Sequence, residues 1–302
     1  MRTAIIVINK SDAGVQDTIA SLAAMPAMAA GDVEVIVVDA SQGRFDHIRD
    51  RFGAVRWIPF TPLPGRPSIP HQRNVGVAAT DADTIVFIDA SCVPGPDWLE
   101  RLCAPIRDEG ESVVAGSHRS PTGDGLRDLA TDRLADRAYL TEAPTINLAV
   151  KRSVLTSLGG FDESFRYGSD VDFTWRAIDA GHRIRYVRDA WVTHDWGGLR
   201  EEVRRSYSYG RARGHLYLKH RRRWRGLLTS DSPALAYPLL LIASPLLLAR
   251  RRLLLALLVP LARNRGRRPV LTLAEHLVYG AGVLRAVSSW AGDRLGGGPA
   301  ER

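Results

Sequence analysis

The chain has 302 residues, 45% hydrophobic and 25% charged, with a formal net charge of +8. That length supports one large domain, or one domain with an appendage, and the ordinary apolar fraction excludes wholesale disorder, a collagen-like repeat and a disulfide miniprotein. The basicity is uneven: residues 1–199 hold 21 Lys and Arg against 27 Asp and Glu, whereas residues 200–302 hold 20 against 6. An acidic body carries a basic tail.

Only Arg2 and Thr3 separate Met1 from a short apolar run, Ala4–Ile8, which ends in Asn9-Lys10-Ser11. The run is too short for a signal-peptide core, so no export signal is expected. Cys92 and Cys103 make neither a zinc pattern nor a disulfide framework, which fits a reduced compartment. Four runs rich in β-formers follow in order: Ala4–Ile8, Val33–Val38, Val55–Ile58 and Thr84–Ile88. Nearly continuous Val and Ile suit strands buried on both faces of a parallel sheet. Between them Val15–Ala24, Phe45–Phe52 and Ser68–Ala79 read as crossover helices, with Pro70 tolerated in the first turn of the third. The alternation predicts a doubly wound α/β sheet.

Asn9, Asp39 and Asp89 each follow a predicted strand directly. Ligands of open α/β sheets bind outside the carboxyl ends of the strands. Asp and Asn also favour turns, which accounts for any one of the three; together they point to a site. Asn9–Gly14 contains no G-x-G-x-x-G and no P-loop, which excludes a dinucleotide site of the usual kind. Beyond residue 90 the pattern predicts a helix over Asp97–Arg107, a strand over Ser112–Gly116, and a helix around Leu126–Leu140. A strand over Thr145–Val150 follows, then a short helix over Lys151–Leu158 closed by Gly159-Gly160. A helix over Ser169–Ala180 and a last strand, Ile184–Val187, complete the body near His194.

Five segments, in order, resemble the motifs of family 2 glycosyltransferases. Val33–Ser41 is similar to their strand and nucleotide-binding acid, Gln72–Ala78 to their arginine-asparagine helix, and Phe87–Pro94 to their D-x-D segment. Leu158–Phe165 with Gly168–Phe173 is similar to their G-G-F-D-E and E-D blocks, and Val192–His194 to their closing histidine. The resemblance implies a GT-A fold over residues 1–198, an α/β Rossmann-like mixed sheet flanked by helices. It further implies a nucleotide-sugar donor of UDP, GDP or dTDP type, an inverting transfer to a hydroxyl acceptor, and a divalent cation, Mg²⁺ or Mn²⁺.

On that resemblance Asp170, matching the acid of the E-D pair, is the candidate catalytic base. Asn9, Asp39, Arg73 and Asp89 are the candidate donor-binding residues, Asp89 and His194 the candidate metal ligands, and Trp98 and Trp196 the candidate acceptor walls. Plainer readings stand beside these: Ser169 and Asp172 also form a helix N-cap pattern, and tryptophans are buried by default. The residue types suit the chemistry. Charge grows on the leaving diphosphate, where a hard cation neutralises it, and a base opposite the leaving group removes the acceptor proton. Two departures stand out. Ser91 occupies the place of the second D-x-D acid and Ser169 that of the E-D glutamate. They open two alternatives: leaving-group charge met by arginines, or a catalytically degenerate nucleotide-sugar-binding protein.

The tail, 199–302, begins with Leu199–Arg225, which reads as one helix with Val203, Tyr207, Gly210, Gly214 and Tyr217 on one face. It ends in the cationic cluster Lys219–Arg225. Two apolar runs, Ala234–Ala249 and Leu253–Ala262, flank Arg250-Arg251-Arg252. Neither reaches the ~20 residues a bilayer span needs. They suggest an interfacial or re-entrant hairpin over about 233–262, held to an anionic membrane surface by arginines worth ~1 kcal/mol each. The alternative is a helical appendage packing its leucines on the body or on a second copy in a homo-oligomer. Leu271–Trp290 reads as a further helix and Gly296–Arg302 as a disordered end. Bare arginines without groove-reading motifs do not make a nucleic-acid module. The expected setting is the cytoplasmic membrane face, in polysaccharide, cell-surface or lipid-linked glycan synthesis.

Overall fold

Strands with no polar face must be covered on both sides, and the first half of the chain does this. β1 (Thr3–Asn9), β2 (Val33–Asp39), β3 (Arg56–Pro59) and β4 (Thr84–Asp89) lie parallel, in the order β3-β2-β1-β4. Helices α1 (Val15–Ala23), α2 (Pro26–Ala29), α3 (Asp46–Arg51) and α4 (Ser68–Ala78) connect them. β1, β2 and β4 are buried along almost their whole length, whereas β3 is the sheet edge, with Arg56 and Pro59 exposed. The Val55–Ile58 run was expected to be buried on both faces; at the sheet edge it is so only in part, with Val55 buried, Trp57 and Ile58 half-buried and Arg56 exposed.

The coordinates are a computed structural model, which describes residues 2–121, 134, 136–197, 199–229, 231–243, 245 and 269–295. Two compact units divide the chain, Met1–Asp195 and Trp196–Arg302.

The second half of the first unit turns the sheet mixed. It comprises β5 (Cys92–Pro94), α5 (Trp98–Asp108), β6 (Val113–Arg119), β7 (Tyr139–Leu140), β8 (Asn147–Lys151), α6 (Arg152–Ser157), α7 (Ser169–Asp179) and β9 (Ile184–His194). Among the described residues the sheet has nine strands and runs β3-β2-β1-β4-β8-β6-β9-β5, with β7 also on β9. β8 is antiparallel to β4 and β6, β6 is parallel to β9, and β5 and β7 are antiparallel to β9. Phe161 links sheet to helix in the core beneath α7: its ring lies 5.2 Å from Phe87 and 5.0 Å from Phe173.

Several expectations change here. β9 runs to His194 instead of stopping at Val187, because the β6–β9 register slips between Gly116 and Ser117, pairing Ser117 with Trp191. Asn147 stabilises that slip, its Nδ2 donating to the carbonyls of Ser117 (2.7 Å) and Ala190 (2.8 Å). β5 and β7 were not foreseen. Tyr139–Leu140, expected at the end of a helix, pairs with β9 as a strand; residues 126–133 and 135 of that predicted helix lie outside the described residues.

The described residues of the second unit are largely helical: α8 (Leu199–Lys219), a 3₁₀ segment (Arg221–Leu228), α9 (Pro233–Ile242) and α10 (Pro269–Leu295). α8 and α10 approach closely because their facing residues are small. A Cβ on Gly210 would stand 1.9 Å from the Tyr279 carbonyl oxygen. Ser206 Oγ donates to Glu275 Oε1 at 2.8 Å, and the Tyr237 hydroxyl lies 3.0 Å from His276 Nδ1. The helix expected to reach Arg225 stops at Lys219. Past His220 the chain tightens, and the Trp224 indole Nε1 donates back to the Tyr217 carbonyl in the last turn of the helix, at 2.7 Å. Residues 246–268, including Leu253–Ala262, and the end Gly296–Arg302 lie outside the described residues. Among the described residues no helix is long and apolar enough to cross a membrane.

Candidate active site

Parallel register brings the strand ends into one row. Asn9 is opposite Asp39, and Ile8 is opposite Asp89, so three polar residues distant in sequence share one carboxyl edge. Asn9 Nδ2 donates to Asp39 Oδ1 at 3.1 Å. Asp39, 8% exposed, also accepts from the Ser41 hydroxyl (2.6 Å) and the Ser41 amide (3.3 Å). A carboxylate this deep needs such donors to remain soluble in the protein. Buried Gln72 on α4, with its amide nitrogen turned inward, donates to the Asn9 and Val38 carbonyls and ties the helix to the same edge.

Beside Asp39 lies a cavity of about 100 Å³ walled by Gln42, Asp46, Arg49, Trp57 and Phe60. Trp57 carries a buried indole Nε1 with no acceptor among the described residues. A partly aromatic recess beside a carboxylate has the chemistry to take a nucleoside.

Arg73, on α4 and only 6% exposed, reaches the other half of the row. Its guanidinium donates to Ser169 Oγ at 3.1 Å, lies 3.8 Å from Asp89 Oδ1, and sits 5.5 Å over the Phe161 ring. Ser169, at the start of α7, therefore gives Arg73 a neutral partner where the family motif has an acid. The positive charge of Arg73 is opposed chiefly by Asp89. Desolvation holds the Asp89 carboxyl above the usual carboxylate range, although 38% of its side-chain surface stays open. Arg73 and His194 act against that rise, while the charges of Asp170 and Asp12 add to it. His194 ends β9 and pairs with Cys92 across the β5–β9 ladder.

Asp170 occupies the first turn of α7. Its Oδ1 accepts from the Val171 amide at 2.9 Å and its Oδ2 from the Thr145 amide at 3.4 Å. Both bonds fix the carboxylate's orientation and leave lone pairs for a further donor. The loop preceding α7 is held by two clamps. Asn74 donates to the Phe161 carbonyl and to Glu163 Oε1, both at 2.9 Å, and accepts from the Phe161 amide at 2.9 Å. Arg176 pairs with Asp172 at 2.8 Å and donates to the carbonyls of Leu158 and Gly160.

The structure thus gathers Asp89, Arg73, Asp170 and His194, next to the Asn9–Asp39 pair. Trp98 is not among them. It is 1% exposed, and its Nε1 donates to Asn147 Oδ1 at 2.8 Å, so it is core and not an acceptor wall. Trp196 opens the second unit, where the Arg205 guanidinium lies 5.8 Å over its ring. Ser91 has a left-handed backbone, φ 66°, and donates to Asp12 Oδ2 at 2.9 Å. Sequence reasoning passed over Asp12, Ser41, Asn74, Thr145 and Asn147. Asn74 lies in the quoted Arg-Asn motif; Thr145 acts through its backbone, which no residue type announces.

A cation in this site would meet the Asp89 carboxylate and the His194 imidazole, a donor set that suits Mg²⁺ or Mn²⁺ when substrate phosphate oxygens complete it. Among the described residues no group of three or more His, Cys, Asp or Glu is arranged to hold a metal alone.

Known proteins resemble this chain in sequence and in fold. The glycosyltransferase-like family 2 matches residues 2–226. Pre-mycofactocin glycosyltransferase of Mycobacterium tuberculosis is 28% identical over 261 residues, covering 81% of this chain and 53% of the relative. Glycosyltransferase AglE of Haloferax volcanii is 23% identical over 219 residues, covering 70% and 63% respectively. The chain therefore spans little more than half the length of these relatives. Among solved structures, mannosyltransferase PcManGT from Pyrobaculum calidifontis, in complex with GDP-Man and Mn²⁺, is similar with a TM-score of 0.72 at 17% identity. That match covers 95% of this chain and 87% of the other, and identifies the fold as GT-A.

Proposed function

This chain belongs to the glycosyltransferase-like family 2, and on that premise we propose that it transfers a sugar from a nucleoside diphosphate donor to an acceptor hydroxyl, with inversion. The observation that carries the reading is the shared carboxyl edge: the cavity beside Asp39 at one end, and Asp89, Arg73 and Asp170 at the other. The nucleoside occupies the Asp39 cavity, with Asn9 and Ser41 holding the carboxylate in place. The donor diphosphate points to Asp89 and Arg73, where the guanidinium meets the charge that grows as the sugar–oxygen bond breaks. Asp89 and His194 would hold Mg²⁺ or Mn²⁺, which when bound supplies further neutralisation of the leaving diphosphate. Asp170 accepts the proton of the attacking hydroxyl, its oxygens aimed by the Thr145 and Val171 amides. One displacement with the base opposite the leaving group inverts the anomeric carbon.

Residues 1–198 form the catalytic domain in this proposal and 199–302 the appendage. We place the protein at the cytoplasmic membrane face, acting on a lipid-linked or surface-glycan acceptor. Trp224 (50%), Leu228 (75%), Leu239 (53%) and Ile242 (63%) are exposed in the second unit. Arg221, Arg222, Arg223 and Arg225 share the segment of Trp224 and Leu228. Apolar side chains beside arginines suit the headgroup boundary of an anionic leaflet. Serine at these four arginines should abolish co-flotation with phosphatidylglycerol vesicles. Flotation equal to the parent chain's would remove the membrane role.

Ser91 and Ser169 favour a second reading, a nucleotide-sugar binder without turnover. The separating experiment measures release of nucleoside diphosphate from GDP-mannose, UDP-glucose and dTDP-glucose over an acceptor panel, with and without Mn²⁺. Acceptor-dependent release supports transfer; binding without release from any donor supports the second reading.

A further inference from the structure

The carboxylate that the sequence lacks at residue 91 is present there in space. Ser91 Oγ donates to Asp12 Oδ2 at 2.9 Å, a contact across 79 residues. Asp12 belongs to the loop between β1 and α1, and three features fix it. Its amide donates to Asn9 Oδ1 at 3.1 Å, and Asn9 is itself bonded to Asp39. Its Oδ1 accepts from the Gly14 amide at 2.9 Å. The loop also comes so close to the Asp89–Ser91 segment that a Cβ on residue 14 would stand 2.5 Å from Ser91 Cβ, a separation only glycine permits.

We propose that Asp12 supplies the second carboxylate of the donor-cation site, replacing the acid absent at residue 91, and that Ser91 is the residue positioning it. This rests on the nucleotide-sugar reading above and deepens it. The chemistry of the donor set supports it. Mg²⁺ is commonly held by one or two carboxylates together with substrate phosphates, so Asp89 and Asp12 with a diphosphate satisfy the requirement without a third acid. Asp12 is exposed, and a carboxylate has about four lone-pair positions, of which Ser91 and Gly14 use two. A hydroxyl at residue 91 then has a purpose: a second carboxylate there would repel Asp12, whereas a hydroxyl donates to it.

The test uses the full chain, Mn²⁺ and GDP. Free Mn²⁺ is read by electron paramagnetic resonance, and GDP binding by calorimetry with and without the metal. Asp12→Asn and Asp12→Ser should each weaken Mn²⁺ binding in the presence of GDP by about 10- to 100-fold, the scale set by loss of residues that support a metal. Metal-free GDP affinity should not fall below the parent chain's, because the lost carboxylate only repels a bare diphosphate. The double variant Asp12→Ser with Ser91→Asp moves the carboxylate to residue 91, where aspartate tolerates a positive φ. It should recover Mn²⁺ binding to within about threefold of the parent, which a merely loop-closing role for Asp12 does not predict. Parent-like Mn²⁺ binding in both Asp12 variants, or failure of the double variant to recover it, overturns the inference. GDP binding by the parent chain that Mn²⁺ leaves unchanged overturns it too, while the transferase reading survives. An absence of binding to GDP, UDP and dTDP under all conditions defeats the transferase reading itself.

Discussion

Replacing Asp170 by asparagine separates catalysis from folding, and the structure sets the size of both effects. Asp170 accepts two amide bonds, at 2.9 Å from Val171 and 3.4 Å from Thr145. Asparagine keeps the shape but offers one acceptor oxygen, so the shorter bond survives and the longer, weaker one is lost. That costs about 1 kcal/mol or less, which in a unit of this size lowers Tm by about 2–4 °C. The chemical cost is larger. Loss of a general base slows transfer by about 10²- to 10⁴-fold, or about 2.7–5.4 kcal/mol of barrier at 1.36 kcal/mol per decade. None of the hydrogen bonds of Asp170 reaches Asp39 or Arg73, so donor affinity should hold. Single-turnover rates, nucleotide titration calorimetry and thermal unfolding measure the three quantities. The reasoning fails if kcat stays within threefold of the parent, or if donor affinity falls in step with kcat.

Three further outcomes follow from the same contacts. Asn147→Ala strips partners from the buried Trp98 Nε1 and from the Ser117 and Ala190 carbonyls. At 1 kcal/mol or more for each stranded group, urea unfolding should show a loss of about 3–5 kcal/mol; a loss under about 1 kcal/mol contradicts the assignment. Asp89→Asn should raise Tm at neutral pH. Because desolvation raises the folded-state carboxyl, the stability tied to its protonated form is complete below the unfolded value and lost as pH climbs through the folded one. Asparagine resembles the protonated form, so its advantage should shrink as pH is lowered toward about 4; an advantage independent of pH would argue against the cause given. Gly210→Ala forces a methyl against the Tyr279 carbonyl and should loosen α8 from α10, read as faster proteolysis within the second unit. Unchanged cleavage there would show that the helices part at no cost.

Much of the first half was legible because its signals are local. Val-rich runs bounded by polar residues declare buried parallel strands, and Asn9, Asp39 and Asp89 declare themselves by ending those strands. β5 and β7, two or three residues each, carry no period of their own and exist only because β9 lies alongside to pair with them. Trp98 shows the same limit: its type permits an acceptor wall or a core position, and only Asn147, arriving from β8, decides for the core.

The two serines draw the boundary most clearly. The sequence by itself determined a sheet with an acidic carboxyl edge, a family resemblance and two missing acids at Ser91 and Ser169. It determined these because strand period, turn chemistry and motif order are properties of neighbouring residues. Tertiary structure decided what the serines do: Ser169 accepts from Arg73 across 96 residues, and Ser91 donates to Asp12 across 79. Such contacts depend on which strands the sheet sets side by side, and no local pattern in the chain records that order.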